Sequence, residues 1–235
     1  MTSEAPAGAW LFRYRSFLPV PLALILLLVR AGETDGGALI ASGALVVTSG
    51  QVLRLWAVRH IGTISRTRTT RYGPLMTAGP YAVVRNPLYV GNFLILVGLA
   101  LIANSVLFIA VGVPFFIVAY LAIIAAEENY LRQKFGDEFD DYCARVPRLF
   151  PILSGLKQTL QSMGFNWQRL IVKEYGSAFA WISGAILLLF KHHWLLHREL
   201  SASVFARTLL VLLLGLGFLY GLARYLKKAQ ILRAE

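Results

Sequence analysis

Two adjacent carboxylates, Glu127 and Glu128, follow directly on the apolar run VAYLAIIAA. Carboxylates at the edge of an apolar layer repel each other and lose hydration, so they need hydrogen-bonding or cationic partners. Arg85 and Tyr89 stand at the start of the same long apolar tract. If this tract folds into two antiparallel arms, all four side chains meet at one end. A solvated helix end is the alternative, and it requires no partner.

The stretch GPYAVVRNPLYVG, residues 79–91, contains two strong turn signals, Gly-Pro-Tyr and Asn-Pro. Each proline fixes the backbone and leaves nearby carbonyls outside helical hydrogen bonding. Such a loop surrounds a small volume with backbone donors and acceptors and a tyrosine ring. This combination suits a flat heteroaromatic ring with a charged tail. The alternative is an ordinary connector between two helices.

The elements that must position these residues are membrane helices. Hydrophobic residues make up 57% of the 235-residue chain and mean hydropathy is +0.62, whereas soluble domains contain about 45–50%. Asn104-Ser105 divides the long tract into a helical hairpin. We therefore predict an all-α, polytopic membrane helical bundle of about six transmembrane helices. The apolar segments are residues 17–29, 38–58, 88–126 (two helices), 178–190 and 208–222.

The first arm of the hairpin is short. A helix over residues 90–103 would rise only about 21 Å, against a hydrocarbon core of roughly 30 Å. The arm is therefore either short or begins earlier, at Leu88 and Tyr89. After the second arm, the helix is predicted to continue to Phe135 and to end at Gly136. A second short helix is predicted over residues 137–144, and residues 152–177 are predicted to lie at the membrane interface.

The net charge of +11 could indicate nucleic acid binding, but the distribution of charge favours the positive-inside rule. Of the 23 Lys and Arg residues, only Arg30, Lys191, Arg198 and Arg207 fall on one face of the six-helix topology. We therefore predict a multi-pass inner-membrane protein with both termini in the cytoplasm and no nucleic acid partner. The single cysteine, Cys143, excludes an intrachain disulfide.

The order and spacing of these motifs resemble a known family. The pattern GPY-x-x-x-R-[HN]-P-x-Y-x-G, a hairpin, then EE-x-x-L-x-x-x-FG-x-x-[FY]-x-x-Y-x-x-x-VPR-x-x-P is similar to the isoprenylcysteine carboxyl methyltransferase and phospholipid N-methyltransferase superfamily. The resemblance covers roughly residues 51–151. It implies a methyltransferase core over 51–151, between an N-terminal transmembrane region (1–50) and a C-terminal region (152–235) with an interfacial segment and two spans.

The resemblance further implies an enzyme that uses S-adenosyl-L-methionine in a cytoplasmic pocket beside the hairpin. Glu127 is then the partner of a ribose hydroxyl or of the amino acid ammonium, and Arg85 holds either the cofactor carboxylate or the acidic pair. No catalytic side chain is assigned, because methyl transfer depends mainly on alignment and exclusion of water. The acceptor is expected to be a lipidic or hydrophobic amphiphile among the membrane lipids. The cofactor-binding positions implied are Gly73, Pro74, Leu75, Met76, Tyr81, Arg85, Asn86, Pro87, Leu88, Tyr89, Glu127 and Glu128.

Two positions depart from the family pattern. Asn86 stands where the family usually has His, so any role that requires a charge there is in doubt. Ile123 stands about one turn before the acidic pair, where the prenylcysteine enzymes are expected to carry a base for the substrate carboxylate. A prenylcysteine carboxylate is therefore a weak candidate acceptor.

Two other functions remain open. A sterol-reductase-like oxidoreductase would use NADPH, with the 2′-phosphate held by Arg66, Arg68 and Arg71, and a non-catalytic membrane protein could retain the fold. His60 could approach the cofactor. For His192, His193 and His197 an interfacial outer loop is a better account than a metal site. The oligomeric state is not predicted. The glycines of GLGFLYG, residues 215–221, could pack helices.

Overall fold

The computed structural model describes residues 25–28, 36–60, 75–152, 167–197 and 204–232, and these ranges contain only helices, turns and short connections. The all-α prediction is confirmed. A short 3₁₀ turn, Gly79–Ala82, precedes the hairpin. The helices are α1 (Gly37–His60), α2 (Pro87–Ile102), α3 (Phe108–Phe135), α4 (Asp137–Arg145), α5 (Trp167–His197) and α6 (Val204–Lys228).

Four helices are long and apolar enough to cross a membrane: α1, α3, α6 and residues Leu170–Leu195 of α5. Helix α2 is apolar but shorter. The first predicted span, residues 17–29, lies mostly outside the described residues. Its visible piece, residues 25–28, is helical, and Leu26 is buried in the main core. Five of the six predicted spans are therefore present as apolar helices.

Helices α1 and α2 approach closely because glycines face each other across the interface. A Cβ atom on Gly43 would lie 2.6 Å from the Gly98 carbonyl oxygen, and one on Gly50 would lie 2.7 Å from that of Gly91. Small residues allow this backbone approach in membrane helices. The pairing is antiparallel, so the end of α1 lies beside the start of α2. By contrast, a Cβ atom on Gly215, Gly217 or Gly221 would meet nothing within 4 Å, so the suggestion that these glycines pack helices is wrong within the described part.

The helical hairpin has the predicted turn. Asn104 adopts a left-handed conformation (φ 49°), which Asn tolerates better than most residues. Helix α2, the first arm of the hairpin, begins at Pro87. Of the two alternatives for this arm, a short helix from residue 90 or an earlier start, the structure shows the earlier start. The first residues of α3, Phe108–Gly112, are wound as a π-helix. Both arms bury apolar side chains in one core.

The predicted end of α3 and the short helix after it are also confirmed. Gly136 has φ 54° and ψ −128°, a conformation that favours glycine, and it separates α3 from α4. Helix α4 buries Phe139 and Tyr142, which form a satellite cluster with Val146. The cluster holds the segment that follows α4 close to the hairpin loop.

The C-terminal region differs from its prediction. Residues 167–177 were expected to lie at the interface, but they form the first turns of α5, because Leu170, Val172 and Glu174 are buried against the bundle. His192 and His193 lie on α5 and not in an outer loop. The His193 ring lies 5.0 Å from that of Phe205 on α6, so the helix is packed on its neighbour at this point.

Successive helices run in opposite directions, so one end of the bundle collects the end of α1, the start of α2, the exit of α3 and the start of α5. The Trp181 indole donates to Gln51 Oε1 at 2.7 Å, which joins α5 to α1. On α6, Tyr220 packs on Phe179, and Lys227 Nζ donates to the Val172 carbonyl at 3.4 Å. The end of α6 therefore lies at the same end of the bundle.

Candidate functional site

The hairpin loop is fixed by backbone hydrogen bonds to the chain that follows α4. The Arg85 N–H donates to the Pro147 carbonyl at 2.9 Å, and the Ile152 N–H donates to the Val83 carbonyl at 3.0 Å. Val83 is buried, so the bond from Ile152 satisfies a carbonyl of a residue with little access to water. The two halves of the sequence motif are therefore joined by backbone hydrogen bonds.

A tyrosine from the satellite cluster supports the same loop. The Tyr142 hydroxyl donates to the Tyr81 carbonyl at 2.7 Å. Burial raises the pKa of Tyr142 above its usual value, so the hydroxyl keeps its proton and remains a donor. Tyr81 itself is half-buried in the turn before α2.

Glu128 lies between two arginines, Arg85 and Arg148, and the three side chains form an arginine cluster. Its side chain is buried, lies 3.4 Å from Arg85 Nη2 and accepts a hydrogen bond from Arg148 Nη2. Asn86 Nδ2 makes a long contact of 3.5 Å to Glu128 and donates to the Arg148 carbonyl at 3.1 Å. An Asn at the start of a helix ordinarily caps it, but the Asn86 side chain makes no cap bond to α2. Asn86, which stands where the resemblance expects His, therefore faces Glu128 and the Arg148 backbone with a side chain that carries no charge.

Glu127 has a different environment from its neighbour. It is half-buried, and its Oε2 accepts a hydrogen bond from the Tyr89 hydroxyl at 2.6 Å. The convergence of Arg85, Tyr89, Glu127 and Glu128 that the sequence predicted is therefore present. The two carboxylates therefore have different partners: Glu128 binds the two arginines, and Glu127 accepts a hydrogen bond from Tyr89.

Arg85 carries a buried donor that no group in the described part of the chain accepts from. Its Nε has no hydrogen-bond partner among the described residues. A buried donor without an acceptor costs about 1–3 kcal/mol, and a ligand oxygen would remove this cost. The Arg85 side chain is 13% exposed, so the guanidinium lies at the edge of the site. This donor set fits an anionic ligand group such as a carboxylate.

The remaining predicted positions are distributed around this cluster. Leu75 packs on the satellite cluster, and Met76 beside it is half-buried. Pro87 is buried in the first turn of α2, and Leu88 is half-buried after it. Gly73 and Pro74 lie outside the described residues, as do Arg66, Arg68 and Arg71 of the same loop. The roles of all these residues in cofactor binding, and the cavity itself, stay predictions.

His60 does approach the loop. Gly79 has φ 65°, and a Cβ atom added there would collide with the His60 imidazole. The His60 Nδ1 lies 2.9 Å from the Trp56 carbonyl, which fixes the ring orientation. The imidazole therefore covers the turn that begins the motif.

Sequence reasoning missed five residues around the site. Arg148 was present in the quoted VPR motif but received no role. Arg54, Asn92, Tyr120 and Glu174 lie on four different helices, and they form a polar chain in which Asn92 is half-buried and the other three are buried. A charged residue within an apolar helix was the available signal, but Arg54 was counted only toward topology and Glu174 was placed at the interface.

Comparison with known proteins identifies the family of the chain. The family model for phospholipid methyltransferases matches residues 38–138. The nickel-cobalt-cadmium resistance protein NccN of Alcaligenes xylosoxydans xylosoxydans is 35% identical over 161 residues, which cover 66% of this chain and 72% of the relative. The protein-S-isoprenylcysteine O-methyltransferase B of Arabidopsis thaliana is 29% identical over 48% of this chain and 59% of the relative. The chain belongs to the phospholipid and isoprenylcysteine methyltransferase superfamily.

This assignment places the protein among the membrane methyltransferases. Another superfamily relative, the cobalt-zinc-cadmium resistance protein CzcN of Cupriavidus metallidurans, is 38% identical over 49% of this chain and 50% of its own length. The chain thus spans about half the length of CzcN. Metal resistance is named for those two relatives alone. Among the described residues no three His, Cys, Asp or Glu side chains are grouped as metal ligands would be. No solved structure matches the chain at a significant level.

Proposed function

We propose that this superfamily member transfers a methyl group from S-adenosylmethionine to a lipidic or hydrophobic amphiphile at the cytoplasmic face of the membrane. The observation that supports the proposal most is the arrangement of Glu127, Tyr89 and Arg85 at one end of the hairpin, with the Arg85 Nε donor unused. These groups offer both an acceptor and a donor to a zwitterionic ligand.

The chain's own residues would hold the cofactor by its polar ends. Arg85 would donate to the cofactor carboxylate, while Glu128 keeps the guanidinium in place. Glu127 would accept a hydrogen bond from the ribose hydroxyls or from the ammonium. The Tyr89 hydroxyl donates to Oε2, so Oε1 is the oxygen that would face the cofactor. Backbone groups of the turn at residues 79–82, held by Tyr142, would contact the adenine. No contact in this scheme requires Asn86 to carry a charge.

S-adenosylmethionine supplies a methyl group on a positively charged sulfur, and the sulfur keeps the bonding electron pair when the methyl leaves. The protein then needs to align the acceptor and keep water away. The apolar core of the hairpin supports the second requirement, because the helix one turn before the carboxylates is packed in it: Ile123 is fully buried there. An apolar residue at this position favours an acceptor that does not present a carboxylate there.

Methyl transfer is tested with purified protein, methyl-labelled cofactor and a lipid extract, followed by separation of the lipids. We expect one labelled lipid class with the wild-type protein and a loss of at least tenfold with Glu127→Gln, which keeps the size of the side chain. Glu138→Gln, an exposed glutamate on α4, is the matched control and should label like the wild type. Absence of any labelled lipid from folded wild-type protein would overturn the proposal.

The cytoplasmic orientation is tested with Cys143, the single cysteine of the chain, which is partly exposed on α4 near the site. A membrane-impermeant maleimide should label Cys143 in inverted vesicles and not in right-side-out vesicles. Labelling only in right-side-out vesicles would place the site on the opposite face.

A further inference from the structure

A buried ion pair joins helix α5, the first helix of the C-terminal region, to the core of the bundle. Arg54 on α1 is 5% exposed and Glu174 on α5 is 2% exposed. Arg54 Nη2 lies 2.9 Å from each carboxylate oxygen of Glu174, and Nε donates to Oε2 at 3.1 Å. The guanidinium is therefore held in one orientation by three hydrogen bonds from two of its nitrogens.

The other terminal nitrogen of Arg54, Nη1, forms a hydrogen bond with the hairpin. Nη1 donates to Asn92 Oδ1 on α2, and Asn92 Nδ2 donates to the Tyr120 hydroxyl on α3 at 3.1 Å. Because the guanidinium is only a donor, it determines which end of the Asn92 amide faces it. The amide nitrogen must then face Tyr120. The orientation of Asn92 thus depends on the ion pair.

This chain of side-chain contacts ends at Glu127, the carboxylate proposed to bind the cofactor. The Tyr120 ring packs edge-to-face on Tyr89, with centroids 5.2 Å apart and an interplanar angle of 86°. Tyr89 donates to Glu127 at 2.6 Å. Stacking on Phe116 at 3.9 Å fixes the other face of Tyr120. A shift of Tyr120 would therefore move Tyr89, and with it the hydrogen bond to Glu127.

The simpler explanation is that Arg54 and Glu174 only anchor α5. A buried ion pair is a poor anchor, because the cost of removing two charges from water offsets most of their attraction, and apolar side chains usually serve as well. The same two helices are already joined by the bond from Trp181 to Gln51. An ion pair that merely duplicates this anchor has no reason to extend through Asn92 into the hairpin.

We infer that Glu174 is a positioning residue for the cofactor site: it acts through Arg54, Asn92 and Tyr120 to set the Tyr89–Glu127 pair. The inference rests on the proposed function and deepens it, because it makes α5, which lies beyond the family match at residues 38–138, a working part of the enzyme. The substrate contacts themselves remain with the hairpin.

The test is calorimetric titration of the full-length protein in detergent with S-adenosylhomocysteine, the demethylated cofactor. The stoichiometry reports the fraction of folded protein, whereas Kd reports the geometry of the site in each folded molecule. We expect Glu174→Gln to raise Kd roughly tenfold, an effect typical of residues coupled through one hydrogen-bond network. Asn92→Leu removes the hydrogen bonds between Arg54 and Tyr120 but leaves the ion pair of Arg54 with Glu174. It should raise Kd similarly.

Trp181→Phe is the matched control, because it removes the other hydrogen bond between α5 and α1 and leaves the polar chain intact. It should lower thermal stability without changing Kd. If Glu174→Gln and Asn92→Leu lower stability or stoichiometry but bind with the wild-type Kd, the ion pair is only an anchor and the inference is overturned. If folded wild-type protein does not bind the ligand, the proposed function is overturned as well, so the two failures are distinguishable.

Discussion

Replacement of Glu128 by Gln removes one negative charge from the centre of the site and nearly nothing else. Glu128 is buried and faces two arginines, Arg85 and Arg148. Breaking a buried ion pair by removing one partner costs about 3–5 kcal/mol, because the other charge stays buried without compensation. The Arg85 side chain is 13% exposed, so most of this cost falls on it.

The second arginine contributes little to that cost. The Arg148 side chain is 45% exposed, and water can replace a partner lost from an exposed ion pair, whose value is typically about 0–1 kcal/mol. We therefore expect Glu128→Gln to lower the free energy of unfolding by about 3 kcal/mol, the lower end of the range for buried pairs. Equilibrium unfolding in mixed micelles, followed by tryptophan fluorescence, measures this difference.

The control for this experiment is Glu138→Gln, which makes the same chemical change on the exposed face of α4. It should change the free energy of unfolding by less than about 0.5 kcal/mol. If Glu128→Gln is as stable as Glu138→Gln, Glu128 does not carry the electrostatic role assigned to it. The arginine cluster would then be held by the backbone bonds of the loop alone.

Two further predictions concern packing and the loop. Gly50→Ala places a methyl group 2.7 Å from the Gly91 carbonyl oxygen and should cost about 1–3 kcal/mol in unfolding free energy; Gly217→Ala on open α6 should instead stabilise by about 0.5–1 kcal/mol, and equal effects would contradict the close contact of α1 with α2. Tyr142→Phe deletes the bond to the Tyr81 carbonyl and should cost about 1 kcal/mol. Because burial raises its pKa in the folded state, the phenol stabilises fully below its ordinary pKa of 10.0 and less as pH rises through the folded pKa. A wild-type advantage over the Phe variant that grows above pH 10 would contradict this.

Local sequence signals were sufficient for the hairpin. Asn104-Ser105 marked the turn, Gly136 marked the end of α3, and the antiparallel arms predicted that Arg85 would meet the acidic pair, of which it contacts Glu128. Each of these inferences depends on residues close in sequence or on the shared end of one hairpin. That is why the cluster could be predicted before the fold was known.

The parts that could not be predicted depend on contacts between distant segments. Arg54 and Glu174 are 120 positions apart, and nothing in the local pattern of either helix pairs them. The separate environments of Glu127 and Glu128 depend on the rotation of α3 about its axis and on the return of Arg148 to the loop. The burial of Leu170, Val172 and Glu174 against the bundle in the early turns of α5 depends on tertiary packing, which a hydropathy pattern does not contain.

Cofactor binding is the central claim, and titration of S-adenosylhomocysteine into wild-type protein and Glu127→Ala tests it most directly. The substitution removes the carboxylate that accepts from Tyr89, and it leaves Glu128 and both of its arginine partners in place. We predict saturable one-site binding to the wild type and a loss of at least tenfold in affinity for Glu127→Ala, measured on folded protein in both cases. Equal affinity for both proteins, or no binding to folded wild-type protein at high ligand concentration, would contradict the account.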